Sequence, residues 1–150
     1  MKLDPLKIMV VDDEPGIRNA LQTHFELDGF KVITFDSASK ALEYLSKNKV
    51  QIILSDINMP NMDGLEFLEC LKDVGGEAVV IMITAYTTLM KVLNARVNGA
   101  FDYILKPFKN LDEINEVVDR AIIHSQRWRN VVSQTRETRQ KVKRSQEIAS

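Results

Sequence analysis

The sequence predicts an α/β fold: a doubly wound five-stranded parallel sheet in strand order 2-1-3-4-5, with an extended C-terminal helix. Three observations predict it. Five short apolar runs alternate with five segments of helical spacing, the pattern of strands joined by crossover helices. The runs are continuous rather than alternating, as strands covered on both faces require. Right-handed crossovers leave few windings for such a chain, and 2-1-3-4-5 is the natural one for five strands.

Lys7-Ile8-Met9-Val10-Val11-Asp12 reads as the first buried strand. Asp13-Glu14-Pro15 opens a helix, with proline near N1 and acids at the positive end of the dipole. Ile17, Ala20, Leu21, His24 and Phe25 recur at helical spacing, and Gly29 stops that helix. Lys31–Phe35 is a short second strand, and Ser37 caps a helix carrying Ala41, Leu42 and Leu45. Gln51–Asp56 is the third strand. It ends in a carboxylate, and the turn signals Met59-Pro60 and Asp63-Gly64 show that it cannot continue. A third helix runs from about Leu65 to Lys72, and Gly75-Gly76 ends the unit. Ala78–Thr84 is strand four, Thr87 or Thr88 caps a fourth helix to Asn98, and Gly99 closes it. Phe101–Leu105 is strand five, ending in Lys106-Pro107; the final helix starts near Asn110 or Leu111 with no breaker before Ser150.

In this order strands one and three are neighbours at the switch point, where open α/β sheets place their binding crevice. Asp12, Asp13 and Asp56 then converge, with Thr84 and Lys106 flanking them from strands four and five. Carboxylates about 5 Å apart repel by roughly 3 kcal/mol per pair at an effective dielectric near 20, so the cluster calls for raised pKa values or a cation. All-oxygen ligation favours Mg2+, with Mn2+ as the alternative. Asp56, nearest the rim, is then placed as a nucleophile toward a phosphoryl group. That chemistry needs in-line positioning and neutralised phosphoryl oxygens, which the cation, Lys106 and the Thr84 hydroxyl would supply. Singly, each residue has a plainer explanation: a helix cap for Asp12 or Asp13, a β-prone strand residue for Thr84, a solvated lysine for Lys106, an Asx-turn for Asp56. The coincidence of all of them at strand ends favours a site.

These pieces, Val10-Val11-Asp12-Asp13, Ser55-Asp56 through Asp63-Gly64, Thr84-Ala85 and Lys106-Pro107-Phe108, resemble the receiver domain of two-component response regulators, a flavodoxin-like (βα)5 fold, over roughly residues 6–125. The resemblance implies that Asp56 accepts a phosphoryl group from the phosphohistidine of a sensor histidine kinase or phosphotransfer protein. It implies that Asp13, Asp56 and the Asn58 backbone carbonyl hold Mg2+ directly, with Asp12 helping through water. Thr84 and Lys106 would contact phosphoryl oxygens, and the Lys106-Pro107 bond is expected to be cis. Tyr103 matches the switch aromatic, which turns inward as Thr84 moves and so alters the face of helix four, strand five and helix five. Asn58 and Tyr86 fall at positions that tune phosphoryl lifetime. Such a domain is a phosphoacceptor that assists its own phosphorylation and dephosphorylation, not an enzyme.

Composition narrows the alternatives. With 45% hydrophobic and 27% charged residues the chain is an ordinary globular protein. Its single cysteine, Cys70, excludes an internal disulfide framework and reads as a reduced thiol on a helix face. No apolar run approaches a membrane span and no signal peptide is evident, so the chain reads as cytoplasmic. The net charge of −1 divides into about −6 over residues 1–125 and +5 over 126–150, an acidic receiver domain followed by a basic helical segment. Leu111, Ile114, Val118, Ala121, Ser125, Trp128, Val132, Thr135, Arg139 and Val142 follow a 3-4 seam, apolar to about Val132. A helix from Asn110 to Ile148 would be roughly 58 Å long and must project, as a lone helix, a linker to an output domain or a dimerising coiled coil. DNA binding by this segment is not expected, because helix-turn-helix patterning and interleaved aromatics are missing. A dinucleotide site would want glycines where Asp12-Asp13-Glu14-Pro15-Gly16 stands. A haloacid-dehalogenase-like phosphatase would want an aspartate at Asn58. The remaining rival is a phosphorylation-independent interaction module of the same fold, acting through its long helix.

Overall fold

The computed structural model describes residues 6–74, 77–85 and 99–126. Its elements, in order, are β1 (Lys7–Val11), α1 (Pro15–Leu27), β2 (Lys31–Phe35), α2 (Ala38–Leu45), β3 (Ile52–Asp56), α3 (Gly64–Asp73), β4 (Val79–Ala85) and β5 (Asp102–Lys106). A further helix is described over residues 112–126. The expected fourth helix and the basic segment beyond residue 126, Trp128 included, lie outside the described residues.

The five strands form one parallel sheet in the order β2-β1-β3-β4-β5, the predicted winding. The continuous apolar runs account for its burial: every residue of β3, and Val79–Thr84 of β4, is buried. Side chains alternate between two cores. Ile8, Val10, Ile52, Leu54, Ile81, Ile83 and Ile104 pack with Leu21 and Phe25 of α1 and with Ile114, Val117, Val118 and Ala121 of the C-terminal helix. Met9, Val11, Ile53, Val80 and Met82 pack with Ala38 and Ala41 of α2 and Phe67, Leu68 and Leu71 of α3.

Several elements differ in detail from the sequence reading. No acid stands in the first turn of α1; Glu14 is its N-cap residue and makes no side-chain capping bond, while Pro15 opens the helix. Ala20 is exposed, and His24 is half-buried, its Nε2 lying 2.6 Å from Asn115 Oδ1 on the C-terminal helix. Strand β5 begins one residue later than expected and so takes in Lys106. Ser37 caps α2 as expected, accepting from the Lys40 amide. The C-terminal seam, as far as Ser125, is turned into the domain's own core, joined by Val117, which the 3-4 spacing passed over.

Candidate functional site

The carboxyl edge of the sheet is built by register. Val11 pairs with Ser55, so Asp12 leaves β1 beside Asp56, the last residue of β3. Across the sheet Asp56 faces Ile83, Thr84 pairs with Leu105, and Ala85 pairs with Lys106. Asp12 continues the ladder for one more bond, its amide donating to the Phe35 carbonyl. Asp12, Asp56 and Lys106 therefore project from the sheet face of α1 and the C-terminal helix. Thr84 and Tyr103 alternate to the opposite face, where the Tyr103 ring packs against the second core.

Lys106 crosses the switch point. Its Nζ donates to Asp12 Oδ2 at 2.9 Å, to Glu14 Oε1 at 3.2 Å and to Asp56 Oδ2 at 3.4 Å. Asp12 and Asp56 are buried, at 0% and 3% exposure; Asp13 and Glu14 stand at the rim, and Asp56, expected there from its place at the strand end, is instead covered beneath them. The plainer explanations hold in part. Asp12 Oδ1 accepts the Glu14 amide at 2.9 Å, and Asp56 Oδ1 accepts the Asn58 amide at 3.2 Å in an Asx-turn. Both bonds aim the second carboxylate oxygen at Lys106. The Arg18 guanidinium adds a brace, donating to the Asp12 backbone carbonyl at 2.6 Å.

The loop after β3 holds Asp56 from behind. Asp63 caps α3, accepting from the Leu65 and Glu66 amides at 2.9 Å each, and the Gly64 amide donates to the Ile57 carbonyl at 2.8 Å. Gly64 is pressed so closely onto the strand that a Cβ would overlap the Asp56 carbonyl oxygen and lie 2.8 Å from Ile57 Cα. Asn61 adopts a positive φ of 70° at the bend where Met62 donates to the Pro60 carbonyl.

Burial, and then the charge of Asp12, push the Asp56 carboxyl up to about 6 despite Lys106. Burial likewise raises Asp12. For Lys106, burial works downward, but the bond to Asp12 and the charges of Asp12 and Asp56 outweigh it, and the ammonium is held above its ordinary value. Asp12, Asp13, Glu14 and Asp56 each offer an oxygen, and these lie within 4.8 Å of one another. With carboxylate donors alone, two of them buried, the set fits a hard divalent cation rather than zinc or copper.

The structure thus brings together Asp12, Asp13, Asp56 and Lys106, with Asn58 tied to Asp56 through its amide. Thr84 is fully buried at the same edge, its hydroxyl donating to the Ala85 carbonyl at 3.4 Å. The Lys106-Pro107 bond is cis, as the resemblance implied. Tyr86 lies outside the described residues. Sequence reasoning missed Glu14, taking it for a helix-dipole acid; a contact to a lysine 92 residues away carries no signal in the local pattern.

The model of the response regulator receiver domain family matches residues 8–119. The DNA-binding transcriptional regulator NtrC of Escherichia coli (strain K12) is 40% identical over 119 residues, which cover 79% of this chain and 25% of NtrC. The chain spans about a quarter of the length of the curated relatives it matches. Among solved structures, NtrX from Brucella abortus superposes with a TM-score of 0.79 at 30% identity, covering 85% of this chain and 29% of that one. A CheY-like receiver domain protein from Methanospirillum hungatei JF-1 gives 0.78 at 26% identity, covering 83% and 98%.

Proposed function

The chain belongs to the response regulator receiver family, the phosphoacceptor signalling domains of two-component systems, and we propose that Asp56 is its acceptor residue. A carboxylate oxygen of Asp56 attacks the phosphorus of a phosphohistidine on a sensor histidine kinase or phosphotransfer protein. The new P–O bond forms as the P–N bond breaks, and the histidine nitrogen keeps the electron pair. Little covalent chemistry is asked of the protein, so rate comes from positioning and charge.

The observation that carries this reading is Lys106 Nζ, held between Asp12 and Asp56 at 2.9 and 3.4 Å, where phosphoryl oxygens on Asp56 would come within its reach. The Thr84 hydroxyl supplies a further hydrogen bond from β4. Receiver domains generally bind Mg2+ at an acidic cluster, and this chain has one. Asp13, Asp56 and the Asn58 carbonyl would hold the ion directly and Asp12 through water; when bound, it neutralises phosphoryl charge. The same groups serve hydrolysis of the aspartyl phosphate by water, so the domain assists its own dephosphorylation.

The readout in this proposal is a two-state shift. Thr84 and Tyr103 project from the same sheet face on adjacent strands, so displacement of the Thr84 side chain toward the phosphoryl group opens space for the Tyr103 ring. The face of the fourth helix, β5 and the C-terminal helix then changes. The output is read from the relatives, named as DNA-binding transcriptional regulators, with the receiver occupying residues 1–125 and the basic segment 126–150 serving as linker or dimer contact in a cytoplasmic protein. Of that contact's seam, the part up to Ser125 is already spent in the domain core, which leaves Trp128, Val132 and Val142 as its apolar residues.

Intact-mass analysis after incubation with acetyl phosphate and Mg2+ tests the reading. One added phosphoryl group is expected, absent in Asp56→Asn and abolished by chelation. An adduct of equal yield in Asp56→Asn contradicts it.

A further inference from the structure

Glu14 is the member of the site that the phosphotransfer scheme leaves without a task. As an N-cap residue it is an unusual choice, since capping is done by short side chains that fold back onto the first-turn amides. Its own side chain makes no such bond. It reaches instead to Lys106, at 3.2 Å, closer than Asp56 Oδ2 at 3.4 Å.

An ammonium has three N–H donors, and here three carboxylates take them: Asp12, Glu14 and Asp56. Phosphorylation takes the carboxylate charge from Asp56, so its own donor, the longest contact at 3.4 Å, passes to the phosphoryl group first; a second phosphoryl oxygen drawing on Lys106 takes its donor from Asp12 or Glu14. Asp12 is the shortest contact, fully buried and braced through its Oδ1 and its carbonyl, so releasing it strands a buried charge. The Glu14 side chain is 61% exposed and can turn to water at little cost. Glu14 is the partner able to give way.

Resting on the reading of Asp56 as acceptor, we propose that Glu14 is a positioning residue: it occupies one Lys106 donor in the unphosphorylated state and yields it to the phosphoryl group. Its contact opposes phosphorylation, while its charge, within 4.8 Å of the other carboxylates, favours cation binding. The two effects have opposite signs, and that is the signature a residue with a merely structural role lacks.

The test measures two affinities by calorimetry on the full chain: Mg2+ alone, and beryllofluoride (a tetrahedral phosphoryl mimic) at saturating Mg2+. Glu14→Ala removes charge and competition together. It is expected to bind Mg2+ about three-fold more weakly and the mimic about three-fold more tightly, the scale of an exposed ion pair. Glu14→Asp keeps the charge but is about 1.5 Å short of Lys106, so Mg2+ affinity stays and the mimic still tightens. Mimic affinity unchanged or weakened in both variants overturns the proposal while leaving the acceptor reading intact. A wild-type chain that does not bind the mimic, or an Asp56→Asn variant that binds it equally well, overturns both.

Discussion

At the scale of single residues the site is defined by two buried carboxylates that one ammonium cannot fully compensate. Asp56 titrates at about 6 because burial and Asp12 together outweigh Lys106. Its unfolded value is near 3.9, so between about pH 4 and pH 6 the folded chain holds a proton that the unfolded chain has released. Stability in chelator should therefore fall by about 3 kcal/mol as pH rises through that window, then level off near neutrality. The Lys106 ammonium, raised by its carboxylates, keeps its contribution at neutral pH and loses it only when the pH climbs past its elevated value. Added Mg2+ should restore the lost stability above pH 6 and lose its effect toward pH 4, where protons displace it. Urea melts across pH 4–8, with chelator and with Mg2+, check this; stability rising with pH in chelator contradicts it. Asp12, Asp56 and Lys106 were legible in the sequence because each is the polar residue that ends an apolar run. Glu14 was not, because the reach of a flexible side chain to a lysine 92 residues away leaves no mark on local pattern.

At the scale of elements, the loop from β3 to α3 fixes Asp56 from behind. Asp63-Gly64 was legible as a turn, and the reason for glycine at 64 emerges only from packing. The space for its Cβ is filled by the Asp56 carbonyl and Ile57 Cα, backbone atoms that cannot move aside. Gly64→Ala should cost about 2–3 kcal/mol through overpacking, read as a lowered urea midpoint at unchanged slope. A change below about 0.5 kcal/mol would contradict the close approach. The C-terminal helix teaches a second lesson. Its 3-4 spacing correctly marked an apolar face over Ile114, Val118 and Ala121, but periodicity says which face is apolar and not what covers it. The cover is α1 and the sheet, with His24–Asn115 and Arg120–Asp102 fastening the helix on either side.

At the scale of the whole molecule, the sheet order was readable because continuous strands, crossover helices and handedness leave almost one winding. The charge division at residue 126 was readable too, and what the basic segment does was not, because a run of cations is compatible with solvent, linker or partner. A chain ending at Gln126 should fold cooperatively and keep its phosphoacceptor chemistry. One ending at Leu111 strips Ile114, Val117, Val118 and Ala121 from the first core, a loss of about 6 kcal/mol or more, comparable to the stability of a whole domain. Far-UV dichroism with thermal melts separates the two outcomes, and a folded 1–111 chain would contradict the packing described. The most direct test of the acceptor assignment is to phosphorylate the chain, trap the acyl phosphate with borohydride and map the reduced residue by peptide mass. The account predicts reduction at residue 56 alone; a trapped label at Asp12, Asp13 or Glu14, with residue 56 unmodified, would contradict it.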